Sequence, residues 1–261
     1  MNDNKKGTRS PIKQPPLRQA GQSLDEGMQD VLWDKAALWI LVICVVVSQV
    51  VLEWYRAWFR VPPDPWLISC LALVVIGIAV WRIVALRKQI RTMRLGRDGE
   101  RLVGQSLEEL RAKGYVVIHD LPGDGFNVDH VLVGPGGVYA VETKTRMKPI
   151  GHDAQVVYDG ETIKVDGFAP ERDPVRQVRA EADFVRGLIE STTGRRMDVR
   201  PVVLFPGWYT KFEGPKDIWV LNQNALPGWL NGQRRVLSDE DIHLIAGAIS
   251  TYVRSKELGK P

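Results

Sequence analysis

Two long apolar runs dominate the first third of the chain. Ala36 to Leu52 is apolar except for Ser48 and Gln49, and Pro65 to Leu86 is apolar except for Ser69 and Arg82. As helices these runs extend about 26 Å and about 33 Å, close to a hydrocarbon core of about 30 Å. Tryptophans mark their ends: Trp33, Trp39, Trp54 and Trp58 around the first, Trp66 and Trp81 on the second. Such amphipathic rings favour a membrane–water boundary. A buried core helix would explain either run singly. Two side by side, with aromatic flanks and a short polar joint carrying Arg56, Arg60, Pro62, Pro63 and Asp64, predict a two-span transmembrane hairpin over residues 35–87.

The flanks set the expected orientation. The second run leaves into Arg87, Lys88, Arg91, Arg94 and Arg97, a basic stretch whose part 88–95 reads as a juxtamembrane linker. Clustered cations are retained on the cytoplasmic side, so a two-span, multi-pass protein would hold both termini in the cytoplasm. Residues 1–34 are polar and proline-bearing without a helical or strand period, which predicts a disordered tail. They do not read as a signal peptide, because the apolar run starts late and no small-residue cleavage site follows it.

From residue 96 the pattern becomes that of one α/β domain running to 261. Leu102, Val103, Leu107 and Leu110 make a helical stripe, and Glu100 lies one turn before Val103 on nearly the same face. A carboxylate aimed along a core-facing stripe is costly unless something binds it. The run Val128 to Val133 reads as a strand broken by Asp129. After the turn Gly134-Pro135-Gly136-Gly137, a second strand closes with Glu142 and Lys144. Asp173-Pro174 opens a helix with apolar positions Val175, Val178, Ala182, Val185 and Ile189, and Gln177 falls in its first turns beside Arg176 and Arg179. Val199 to Phe205 reads as a buried strand and Ile218 to Leu221 as a shorter one. Ser238 to Asp241 caps a final helix with Ile242, Ile245, Ala246, Ile249 and Val253 inward.

Strand alternation gives these positions their chemistry. Glu142 and Lys144 share a face, and a hairpin brings Asp129 beside them at what reads as a solvated strand end. Two close carboxylates repel unless a cation or a proton sits between them, which fits oxygen ligands for Mg2+ (or Mn2+). The lysine would orient or deprotonate a water for attack on a phosphodiester. Charged residues at strand ends are common, so this triplet is non-specific by itself.

Composition removes other chemistries. The two cysteines, Cys44 and Cys70, lie at different depths of the apolar runs and read as small apolar fillers. The four histidines are scattered; His130 adjoins Asp129 but faces the other side of its strand, as a core or surface histidine would. No zinc-type cluster and no G-x-x-x-x-G-K-[ST] segment occurs. The formal net charge is +4, yet from Arg87 onward 26 Lys and Arg stand against 24 Asp and Glu, so any nucleic-acid footprint is local. Candidate patches are Arg172, Arg176, Arg179 and Arg186, then Arg195-Arg196, then Arg234-Arg235, each equally readable as a solvated face.

The order Gly96-Arg97-Asp98-Gly99-Glu100, Asn127-Val128-Asp129-His130, Glu142-Thr143-Lys144 and Asp173-Pro174-Val175-Arg176-Gln177 resembles the nuclease-related domain (NERD), a branch of the PD-(D/E)xK nuclease superfamily, over roughly residues 96 to 206. The resemblance implies a restriction-endonuclease-like α/β fold: a helix, a three-stranded meander, a second helix and a further strand in a mixed sheet flanked by helices. It implies Glu100, Asp129 and Glu142 as metal-facing acids, Lys144 as the catalytic lysine and Gln177 as an accessory site residue. Two departures stand out: Asp173 where relatives often carry asparagine, and no aromatic in Thr145 to Gly151. The expected function is a membrane-anchored, Mg2+-dependent nuclease acting on nucleic acid, DNA ahead of RNA, with the lipid bilayer as its other partner. The alternative is a catalytically inactive membrane-tethered binding or scaffold module of the same fold.

Overall fold

The computed structural model describes residues 17–59, 65–149, 154–213 and 217–258. It separates into two compact units. One comprises Gln22–Asp98; the other comprises Gly99 onward together with the segment preceding Gln22.

The first unit is helical. Gln22–Asp30 forms α1, a π-helical stretch covers Val31–Ala36, and Ala37–Trp58 forms α2. Helix α3 begins at Pro65 and ends at Glu108, crossing the border between the units. Two of these helical stretches are long and apolar enough to cross a membrane. Their apolar side chains, among them Leu41, Val51, Leu73 and Val74, are exposed, unlike those of a helix buried in a soluble core. Trp54 and Trp66 meet edge to face at 6.1 Å.

Two expectations change here. The stretch 88–95 is helical and continuous with its neighbours, because it is made of good helix formers and holds no proline or glycine to end the helix. The part of 1–34 from Gln22 onward is likewise helical. Residues 1–16 lie outside the described residues, but Leu17 and Arg18 pack into the second unit, where the buried Arg18 donates to Asp120 Oδ2 at 2.9 Å. An arginine near a polar terminus gives no periodic signal, and its partner lies 102 residues away.

The second unit is a mixed α/β fold. Strands β1 (Val116–Pro122), β2 (Asn127–Gly134) and β3 (Gly137–Thr143) form an antiparallel meander. Strands β6 (Val199–Leu204) and β8 (Trp219–Leu221) extend it in parallel, giving the order β1-β2-β3-β6-β8. The crossover from β3 to β6 runs through α4 (Pro174–Thr193). Asp173 caps this helix by accepting from the Val175 N–H at 2.9 Å, and Gly194, at φ 69°, ends it.

Helices cover both faces of the sheet. On one, Ala182, Val185 and Ile189 of α4 and Ile242, Ile245 and Ile249 of α6 (Asp239–Leu258) pack on Val131, Val133, Val138 and Ala140. On the other, Val103 and Leu107 from the end of α3, Leu110 just beyond it, and Leu226 and Leu230 of α5 (Leu226–Asn231) pack on Leu132, Tyr139, Val141 and Trp219. Ser238 and Asp241 exchange bonds at the start of α6, a capping box. A second sheet, in the order β5-β4-β7, joins β4 (Gln155–Tyr158), β5 (Ile163–Val165) and β7 (Tyr209–Phe212). Its strands are three or four residues long, too short for their alternation to announce them.

Candidate active site

Register brings the acids together. His130 pairs with Val141 in the β2–β3 ladder, so one step further along Asp129 stands opposite Glu142, and both project toward α4. The Thr143 N–H donates to Asp129 Oδ2 at 2.7 Å. Beyond Thr143 the Lys144 N–H bonds to Leu204 O at 2.8 Å, which keeps the backbone strand-like and leaves the lysine on the face of Glu142.

The side chains form one hydrogen-bonded chain. Lys144 Nζ donates to Glu142 Oε1 at 2.5 Å and to Gln177 Oε1 at 2.8 Å. Gln177 Nε2 donates to Glu142 Oε1 at 2.9 Å and to Glu181 Oε1 at 2.8 Å. Gln177 thus ties helix α4 to the end of β3, and its amide orientation follows from having both a donor and acceptors to serve.

Glu100 enters from α3. Gly99 lies so close to the end of β3 that a Cβ there would sit 1.6 Å from Thr145 Oγ1 and 2.7 Å from Thr145 Cβ. Only glycine admits that approach, and it brings Glu100 within electrostatic reach of Glu142, Asp120 and Lys144.

Three acids of the cluster are buried, against the expectation of a solvated strand end, while Asp129, Lys144 and Gln177 are half-buried. Glu100, Glu142 and Glu181 are 8 %, 4 % and 1 % exposed, because α4 lies over the ends of the strands. Burial, reinforced by the charges of Glu142 and Asp120, raises the Glu100 carboxyl to about 8. Burial and Glu142 raise Glu181 to about 9. Asp129 is pushed well above the carboxylate range by burial, then by Glu142 and Glu100. Glu142 Oε2 and Glu181 Oε2 are buried without a donor among the described residues, so the carboxyls need a shared proton or a cation between them.

Glu181 is a site residue that the motifs do not reveal, although the same signal that marks Glu100 also marks it. It falls in the apolar stripe of α4 between Val178 and Val185, one turn after Gln177. His130 is buried on the other face from Asp129, its Nδ1 2.9 Å from His119 Nδ1, and burial holds its pKa well below the usual value. The arginine patches do not form one cationic stripe. Arg179, Arg186, Arg195, Arg196 and Arg235 pair with Asp217, Asp183, Asp241, Glu190 and Asp239 respectively. Trp208 and Trp219 are core residues rather than a stacking surface.

Among known proteins, this chain is 39 % identical over 54 residues to an uncharacterized protein of Bacillus anthracis; that match covers 19 % of the chain and 26 % of the relative. No solved structure matches. Residues 95–206, the stretch that holds Glu100, Asp129, Glu142, Lys144, Gln177 and Glu181, match the profile of the nuclease-related domain family, NERD.

Proposed function

We propose that this protein is a membrane-anchored, divalent-metal-dependent nuclease of restriction-endonuclease-like fold that hydrolyses phosphodiester bonds in nucleic acid, DNA ahead of RNA. The observation that carries the reading is the convergence of Asp129, Glu142 and Lys144 on one sheet face, with Gln177 hydrogen-bonded to both Glu142 and Lys144.

The residues fit a hard cation of the Mg2+ or Mn2+ kind. Glu142 Oε2 lacks a donor among the described residues, and burial with the neighbouring acids pushes the Asp129 carboxyl well above the usual range. Among the described residues no three His, Cys, Asp or Glu side chains form a ready-made metal cage. A bound ion would therefore rest on one or two carboxylates and on water, the coordination that Mg2+ commonly takes. Asp129 and Glu142 would hold the ion, with Glu100 and Glu181 as the nearby acids. When bound, it supplies Lewis-acid polarisation of a phosphoryl oxygen and a more acidic water.

The chain's own residues do the rest. Lys144 carries three N–H donors, two of them engaged by Glu142 and Gln177, and is placed to orient the attacking water with the third. Gln177 holds that lysine in register, and Glu181 holds Gln177. The two long apolar helical stretches would tether this chemistry to a bilayer, with the nuclease unit on the cytoplasmic side.

A second reading, a tethered binding module without turnover, is favoured by one observation. Lys144 already neutralises Glu142 at 2.5 Å, as an internal cation would. Titrating Mn2+ into the full chain in detergent, followed by its electron paramagnetic resonance, separates the two. Saturable binding that is lost in Asp129→Asn and Glu142→Gln supports the enzyme. Absence of binding leaves the module.

A further inference from the structure

Two residues beyond Lys144 the chain enters a second groove, of about 410 Å³, which the site described above does not use. Arg146, Met147 and Lys148 line it on one segment, and Val165 at the end of β5, Asp166 and Phe168 just beyond it on another, together with Trp208. Both segments are held. Trp208 is buried, and its indole N–H donates to Arg146 O at 3.2 Å. On the other, Val165 and Phe168 exchange backbone bonds of 2.9 and 3.1 Å around Asp166 and Gly167, whose φ angles of 53° and 82° make the two-residue turn of a tight hairpin.

That hairpin presents a ring it does not bury. Phe168 is 76 % exposed on a fixed backbone, and Met147, which lines the same groove, is 69 % exposed. One exposed apolar side chain is ordinary; two lining one groove with two cations against a single carboxylate, Asp166, are a binding surface in composition. Arg146 and Lys148 have no carboxylate partner among the described residues, in contrast to the paired arginines of α4 and α6.

Resting on the phosphodiesterase reading, we propose that this groove binds single-stranded nucleic acid as it leaves the catalytic site, with a base stacked on Phe168 against Met147 and backbone phosphates on Arg146 and Lys148. Stacking requires an unpaired base, since bases inside a duplex already stack on their neighbours. The pairing of an aromatic ring with cations beside the chain's lysine is the arrangement used to hold a strand without reading its sequence. An anionic membrane surface could also meet a basic and apolar patch. The nucleic acid is favoured because Arg146 follows Lys144 by two residues and its carbonyl is fixed by Trp208.

The test is fluorescence anisotropy with the full chain in detergent and Ca2+ in place of Mg2+, so that binding is read without cleavage. The probes are an oligothymidylate of roughly a dozen nucleotides, an abasic strand of the same length and a duplex. The expected result is that Phe168→Ala weakens oligothymidylate binding by roughly tenfold, that Phe168→Trp restores it, and that abasic and duplex affinities stay within about twofold. The double variant Arg146→Ala, Lys148→Ala should weaken all three probes and lower the salt slope by about 1.4 on single strands. Phe168→Ala binding oligothymidylate as well as wild type, or Phe168-dependent flotation with anionic vesicles and no effect on oligothymidylate, overturns the proposal. Because cleavage is not the readout, a wild type that never cleaves defeats the nuclease reading separately from the groove.

Discussion

The Thr143 N–H donates to Asp129 Oδ2 at 2.7 Å, so the acid of one strand is bonded to the backbone of the next, midway between Glu142 and Lys144. The carboxyl has two opposing effects on stability. It satisfies a backbone donor, and it adds to a crowded group of acids in which burial and mutual repulsion push its own carboxyl well above the usual range.

Asp129→Asn and Asp129→Ala should therefore differ. Asparagine keeps an acceptor for Thr143 and resembles the protonated acid, so thermal melts in EDTA should stay within a few degrees of wild type. Alanine leaves the N–H unmatched and should cost about 1–3 kcal/mol. Equal melting temperatures for the two variants would show that the Thr143 bond contributes nothing.

The raised carboxyls make the metal-free protein less stable as pH rises. Burial and neighbouring acids push Glu100 and Glu181 up to about 8 and about 9 in the folded chain, so from pH 7 up to about 8 for Glu100 and about 9 for Glu181 the folded state holds a proton that the unfolded state has already lost. Each retained proton makes stability fall by up to about 1.4 kcal/mol per pH unit across that window. His130, whose folded pKa is depressed, is neutral in both states there and does not contribute. Melting temperature against pH in EDTA checks this. Glu100→Gln and Glu181→Gln should each flatten the slope, and Mn2+ should flatten it in wild type.

Gly99→Ala should push this part of α3 away from the end of β3. The new Cβ would meet Thr145 Oγ1 and Cβ, and the overpacking should cost about 1–3 kcal/mol. Thr145→Gly in the same chain should recover part of the loss, so a double-mutant cycle on melting temperature should give a clear coupling between the two positions. Strict additivity would rule out the close contact.

Membrane insertion with both termini in the cytoplasm has its own check. A reporter fused after Pro261 should be active only in the cytoplasm. A label placed between Arg56 and Pro63 should react from outside in intact cells, and labelling of the carboxy terminus instead would reverse the orientation.

The legible part of the site was the part that breaks a local pattern. Asp129 interrupts an apolar strand, Glu142 and Lys144 share an alternation phase, and Glu100 sits in an apolar stripe; each signal lies within a few residues of its cause. Glu181 carries the same kind of signal but is surrounded by so many apolar positions of α4 that it reads as an ordinary interruption. The burial of the cluster was not legible, because it depends on α4 closing over strands more than thirty positions away. The second sheet was hidden by the brevity of its strands, and Arg18 by a partner that only tertiary packing supplies. The β2–β3 hairpin, α4 and the final helix were legible because hydrophobic period and cap residues agree there, whereas β1 of the meander was expected only from the family resemblance.

The most direct test of the catalytic account is cleavage of labelled single-stranded and duplex DNA by the full chain in detergent, with Mg2+, with Mn2+ and with EDTA, alongside Glu142→Gln and Lys144→Ala variants matched by circular dichroism. The account predicts divalent-dependent cleavage by wild type and a loss of at least about a hundredfold in each variant while the fold is retained. A wild type that cleaves in EDTA, or variants that cleave at the wild-type rate, would contradict it.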